Sequence, residues 1–147
     1  MNETIDANSK PAPWTRSQGP VLATASDLRK AAAINALLAA PAPVLPVNDS
    51  DQLRPFVIGI FDAFRARLLP DVPAVHLRRA ISAYARSKNY LLASAQPDAM
   101  RHDIEARPLV TVSEDDRLAA QVRVEEIRRE RQSQAQVRGD TPSPDSA

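Results

Sequence analysis

Between residues 56 and 68 apolar side chains recur at spacings of three, four and seven: Phe56, Val57, Ile60, Phe61, Phe64 and Leu68. That period belongs to a helix with one buried face, and this is the most apolar segment of the chain, so it should form the core. Pro55 suits the first turn of such a helix and Pro70 closes it. Gly59 lies inside the run at a cost of about 1 kcal/mol relative to alanine, which hints at a close backbone approach or a later helix start.

The same pattern places the other elements. A first helix is expected from Ser26 to Ala40, capped by Ser26, with Asp27 at its positive end and a stripe of Ile34, Leu37 and Leu38. Pro41, Pro43 and Pro46 end it. Pro73 opens a third helix that turns Leu77, Ala80, Ile81 and Tyr84 inward and Arg78, Arg79, Ser82 and Arg86 outward. Ser87 should cap a short fourth helix through Leu92. Met100–Ile104 and Leu109–Val112 read as a small β-hairpin. The run Ser113-Glu-Asp-Asp116 then resembles a capping box before a last helix to about Ala135, with Leu118 and Val122 on its inner face. Residues 1–25 and 136–147 show no periodicity and are expected to be disordered, leaving one domain over 26–135. Trp14 would make no more than a loose contact.

Composition narrows the possibilities. The chain has 147 residues, three glycines and 4% aromatic residues, which argues against a sheet-rich fold. Cysteine is absent, excluding disulfides, thiolate metal sites and cysteine nucleophiles, and fitting a cytoplasmic setting. No apolar run reaches the ~18 residues a membrane helix needs, and residues 1–10 lack a hydrophobic signal core. The only histidines are His76 and His102, and His102 and Asp103 should point to opposite faces of the hairpin, so no acid–base pair is expected. With no phosphate loop, metal-ligand spacing or nucleophile motif, the chain reads as a protein without enzymatic activity, cofactor or small-molecule substrate.

The net charge of +1 hides an uneven distribution. Arg78, Arg79, Arg86, Lys88 and Arg101 face one acid, Asp98, whereas acids dominate from His102 to Glu130. Local potential of this kind attracts a polyanion. Pro73–Leu92 also has the form of two helices joined by a tight turn, and the Glu/Arg-rich last helix could offer a partner surface. A DNA-binding or protein-interaction module without RNA specificity is therefore the alternative.

Leu53-Arg-Pro-Phe-Val-Ile-Gly-Ile-Phe61 resembles the FinO/ProQ family of bacterial RNA-binding proteins, whose signature is Arg/Lys-Pro-Leu-x-Ile-Gly-Ile. The likeness continues through Leu77-Arg-Arg-Ala-Ile-Ser-Ala-Tyr84, Ser87-Lys-Asn-Tyr90-Leu91, Pro97, Ala99 and Arg101-His-Asp103-Ile104, covering about residues 50–130. It implies a compact, mainly α domain of about five helices with a small β-hairpin. It also implies a monomeric RNA chaperone that holds the 3′ ends of structured RNAs, a terminator hairpin plus U-rich tail, in regulation through small or antisense RNAs.

By position, Tyr90 matches the family's pocket tyrosine, Arg101 its pocket arginine, Arg54 the basic residue before the signature proline, and Arg78 a basic residue of the third helix. Val57 stands where a lysine is frequent, Lys88-Asn89 where some members have an aromatic–Arg pair, and Glu105-Ala106 where Asp-Gly is usual. A tyrosine offers a ring face and a hydroxyl to single-stranded RNA, and an arginine pairs with phosphate or ribose. Arg79, Arg86, Ser87 and Lys88 complete the expected surface, Ser87 through backbone amides at the helix start and the others through duplex phosphates. On the residues alone, Tyr90 reads sooner as core with its hydroxyl at the surface, and Arg101 as a partner of Asp103 across the hairpin.

Overall fold

The computed structural model describes residues 11–140 and consists of five helices and one two-stranded sheet. The helices are α1 (Ala25–Asn35), α2 (Phe61–Arg65), α3 (Ala74–Ala85), α4 (Lys88–Ser94) and α5 (Glu114–Asp140). The strands β1 (Met100–His102) and β2 (Pro108–Thr111) precede α5 and pair antiparallel. Helices α1 and α3 pack together, α2 lies against α3, and α4 packs along α5. The mainly helical architecture with a small hairpin is thus the one the sequence implies.

The helices α1 and α2 differ most from their expected bounds. Thr24, rather than Ser26, caps α1: its hydroxyl accepts from the Asp27 amide while the Asp27 carboxylate accepts from the Thr24 amide, a complete capping box. The helix stops at Asn35, well before the prolines. Asn35 Oδ1 accepts from the Ala42 amide at 2.9 Å, and the chain then pairs Leu38 with Leu68 and sends the Ala39 amide to Arg67 O at 2.7 Å.

The apolar run from Phe56 is helical only in its second half. Phe56 lies beside β1 as a parallel bridge to His102, with the His102 amide donating to Pro55 O at 2.7 Å and the Val57 amide to His102 O at 3.0 Å. Gly59 then turns the chain at φ +86°, a conformation an L side chain adopts only at a cost, and α2 begins two residues later. Phe56 is nonetheless a core residue. Its ring stacks on Tyr84 at 5.6 Å and meets Phe64 edge-on at 5.5 Å, among the buried Ile34, Leu38, Ile60 and Leu77.

Residues 11–24, expected to be disordered, are held in place. Two buried glutamines do this: Gln121 of α5 accepts from the Trp14 amide and donates to Ala12 O, both at 2.8 Å, and Gln96 accepts from the Gln18 amide at 2.7 Å. Leu22 bridges Gln52, and Ala23 is buried. Trp14 is half-buried, with the Arg128 guanidinium 5.9 Å from its ring centre. At the other end α5 continues past Ala135 to Asp140. The expectations for residues 1–10 and 141–147 lie outside the described residues.

Candidate RNA-binding site

The backbone of Phe56 is gripped from both sides. The Tyr90 hydroxyl on α4 accepts from the Phe56 amide at 2.8 Å, and Arg101 Nη1 on β1 donates to the Phe56 carbonyl at 2.9 Å. Sequence position 56 therefore ties the tyrosine and the arginine into one unit across 45 residues of chain. Arg101 extends its other guanidinium nitrogen to Asp116 Oδ2 at 2.8 Å, so its acidic partner comes from α5 and not from Asp103. Asp103 instead binds Arg107, whose backbone amide and guanidinium hold its carboxyl below the usual range. His102 turns Nδ1 towards Pro55 O at 3.2 Å. The two side chains thus have separate partners.

Tyr90 is buried, and its hydroxyl is taken by the Phe56 amide. Its ring packs 5.2 Å from Phe56 and 5.6 Å from Tyr84, and the residue is 8% exposed, so no face is open for a base to stack on. Burial pushes the phenol's pKa up, countered by the hydrogen bond from Phe56 and the charge of Arg101. The group is a neutral hydrogen-bonding tip at physiological pH. Arg101 is different: its side chain remains 17% exposed while two of its donors are already oriented by protein. The bond to the Phe56 carbonyl points the guanidinium in a fixed direction, the preorganisation that lowers the cost of binding an anion.

That guanidinium lines a groove of about 390 Å³ between Val57-Ile58, the outer edge of the hairpin and the start of α5. Its floor is apolar and open: Ile58 is 81% exposed, Leu109 54% and Val110 53%. Thr111, Ser113 and Asp116 add polar atoms at its rim. Exposed aliphatic residues side by side beside one oriented cation are a surface poised for a partly apolar, partly anionic ligand. The alternation of Leu109–Val112 marked a strand but not the groove, because a two-stranded sheet with nothing stacked on it leaves both Leu109 and Val110 in solvent. Ile58 falls outside the helically spaced apolar stripe, and beside the turn at Gly59 it stands in solvent.

The remaining expected residues do not converge on this groove. Arg54 is half-buried, and its charge is felt at Asp51, Tyr84 and His102. Arg78 and Arg79 are exposed on α3, with the Arg78 guanidinium 4.1 Å over the Phe61 ring, and Arg86 caps the end of that helix. Ser87 occupies the N-cap position of α4, but its hydroxyl donates to Tyr84 O at 2.6 Å instead of capping. Ser87 and Lys88 line a separate hollow with Asp27, Lys30, Asn89 and Arg131. Lys30 and Arg131 were not expected in a site; they are distant in sequence and only the packing of α1, α4 and α5 joins them.

A model of the ProQ/FINO family matches residues 31–137. The fertility inhibition protein of Escherichia coli O157:H7 is 31% identical over 111 residues, and the match takes in 63% of this chain and 59% of that protein. The chain thus spans less than two thirds of that relative's length. Among solved structures, a ProQ homolog from Legionella pneumophila is similar at 26% identity and a TM-score of 0.49, over 75% of this chain and 90% of that one. A FinO-like RNA chaperone from Neisseria meningitidis MC58 is similar at 24% identity and a TM-score of 0.43, over 56% and 67%. The family match spans both halves of the Tyr90–Phe56–Arg101 unit and the groove beside it: the chain belongs to the ProQ/FINO family.

Proposed function

We propose that this protein is an RNA chaperone that seats the 3′ end of a structured RNA in the groove beside Arg101. Family membership supports RNA as the ligand, and the relatives include a protein named as an RNA chaperone. The observation that favours a strand end is the pairing of an oriented guanidinium with the exposed Ile58, Leu109 and Val110. A single-stranded terminus offers apolar base faces, a ribose with hydroxyls and a phosphate together, whereas a duplex presents mostly phosphate. In the proposed complex Arg101 exchanges its exposed bond to Asp116 for a phosphate or ribose oxygen. The bases of the tail lie against the aliphatic floor, and the Tyr90 hydroxyl steadies Phe56 behind it. The exposed cations Arg78, Arg79 and Arg86 contribute sequence-independent attraction to the stem. The RNAs proposed are small or antisense RNAs and messenger 3′ ends with a terminator hairpin and U-rich tail.

The test is a titration of such a hairpin-plus-tail RNA with wild type, Arg101→Ala and Ile58→Asp. Ile58 is on the surface, so its substitution leaves the core intact. Both variants should bind at least tenfold more weakly, with Ile58→Asp unfolding near the wild-type midpoint and Arg101→Ala remaining folded. Wild-type affinity in both folded variants would overturn the assignment of the groove.

A further inference from the structure

A second concentration of charge lies away from the Arg101 groove, in the hollow of about 390 Å³ formed where α1, α4 and α5 meet. Lys30 reaches it from α1, Lys88 from the first position of α4 and Arg131 from α5, while Thr24, Ser26, Asp27, Ser87 and Asn89 complete the lining. Among the described residues, none of the three cations is in an ion pair, although neighbouring residues of α5 are: Arg123 holds both Glu126 and Glu130. The one carboxylate in the wall is committed elsewhere. Asp27 is 3% exposed, and its Oδ2 accepts from the Thr24 amide at 2.9 Å and from the Thr24 hydroxyl and Asn89 Nδ2 at 2.8 Å each. Three cations against one carboxylate leave the lining with an excess of two positive charges.

The fold therefore gathers like charges with a single carboxylate among them. Partial burial first, and then the charges of Arg128 and Arg131, hold the Lys88 ammonium below its usual range. Arg128 and Arg131 are three residues apart on α5 and so share a face, which extends the positive edge beyond the hollow along the helix. A hollow holding a single anion needs no such extension; a ligand with repeating negative charge does.

We propose that this hollow is a second phosphate-binding site, one that takes the backbone of the RNA stem through Lys30, Lys88 and Arg131. The inference rests on the reading of the protein as RNA-binding given above and adds to it a surface that divides the work. The Arg101 groove selects a terminus, and the α1–α4–α5 hollow supplies affinity for the duplex behind it without reading its sequence.

The experiment uses the full chain and two RNAs, a hairpin with a single-stranded 3′ tail and the same tail alone, each titrated over a range of salt. Lys30→Ala with Arg131→Ala removes two side chains that are exposed or half-exposed, so the core is untouched. The double variant should bind the hairpin RNA about tenfold more weakly, and its log affinity against log salt should be shallower by about two, one per lost phosphate contact. Its affinity for the tail alone should match wild type, whereas Arg101→Ala should lose affinity for both RNAs. Wild-type affinity and slope for the hairpin in the double variant would overturn the second site and leave the groove standing. Equal loss on both RNAs would show a diffuse charge effect and would overturn it too. If wild type binds neither RNA, the underlying reading falls and this one with it.

Discussion

Two tyrosines in the same aromatic cluster should respond oppositely to loss of their hydroxyls. Tyr90 and Tyr84 are both buried, their rings 5.6 Å apart, and phenylalanine preserves nearly all the packing of either. The Tyr90 hydroxyl is the partner of the Phe56 amide at 2.8 Å in a buried setting. Tyr90→Phe leaves that amide unsatisfied, a cost of about 1–3 kcal/mol. Among the described residues the Tyr84 hydroxyl has no hydrogen-bond partner, and it is fully buried, with desolvation pushing its pKa far up. Tyr84→Phe deletes an uncompensated polar atom and should leave stability unchanged or raise it by about 1 kcal/mol. In urea unfolding, with a slope of about 2 kcal/mol per molar, a 2 kcal/mol loss lowers the midpoint of Tyr90→Phe by about 1 M. The midpoint of Tyr84→Phe should stay level or rise. Equal losses in the two variants, or a Tyr90→Phe midpoint at the wild-type value, would refute the claim that the Phe56 amide depends on Tyr90.

Ala106 has φ 68° in the hairpin loop, a left-handed conformation that disfavours an L side chain. Ala106→Gly should therefore be neutral to about 1 kcal/mol stabilising once glycine's extra freedom in the unfolded chain is subtracted, which thermal or urea unfolding measures. His102 has its pKa lowered from 6.5, chiefly because desolvation disfavours the charged ring. Its folded form thus binds a proton less readily than its unfolded form. The associated stability is complete above pH 6.5 and is lost as the pH falls from there towards the folded pKa. An NMR titration should place the His102 midpoint below 6.5, and a midpoint above it would contradict the desolvation. RNA affinity should fall steeply with salt as counterions are released, and a flat response would point to a ligand held without charge.

Much of the architecture is legible wherever a local pattern coincides with a local cause. Pro73 and the inward Leu77, Ala80, Ile81 and Tyr84 describe α3 well, and Ser113 leads into α5 as its spacing implies, its hydroxyl oxygen accepting from the Asp116 amide at 3.2 Å. The misreadings occur where a distant partner decides. Phe56–Ile60 has helical spacing, yet β1 claims its backbone and Gly59 turns it, so the periodicity reports burial and not conformation. The first helix has alanine-rich propensity to continue, but Asn35 and the pairing of 38–39 with 67–69 end it. Residues 11–24 lack an apolar pattern because their anchors are amide side chains on α5 and at the end of α4, up to 109 residues away.

The candidate site divides in the same way. Tyr90 and Arg101 are brought together, but through the backbone of Phe56, which no motif exposes. The aliphatic floor of the groove depends on a strand face left uncovered and a glycine turn. The hollow holding Lys30, Lys88 and Arg131 depends on helix packing alone.

The most direct test of the 3′-end assignment compares one hairpin-plus-tail RNA bearing a free 3′ hydroxyl with the same RNA carrying a bulky 3′ label, titrated against the wild-type chain. A groove that seats the terminus beside Arg101 predicts that the blocked RNA binds at least tenfold more weakly, and that Arg101→Ala no longer distinguishes the two. Identical titration curves for free and blocked RNA with the wild-type protein would contradict it.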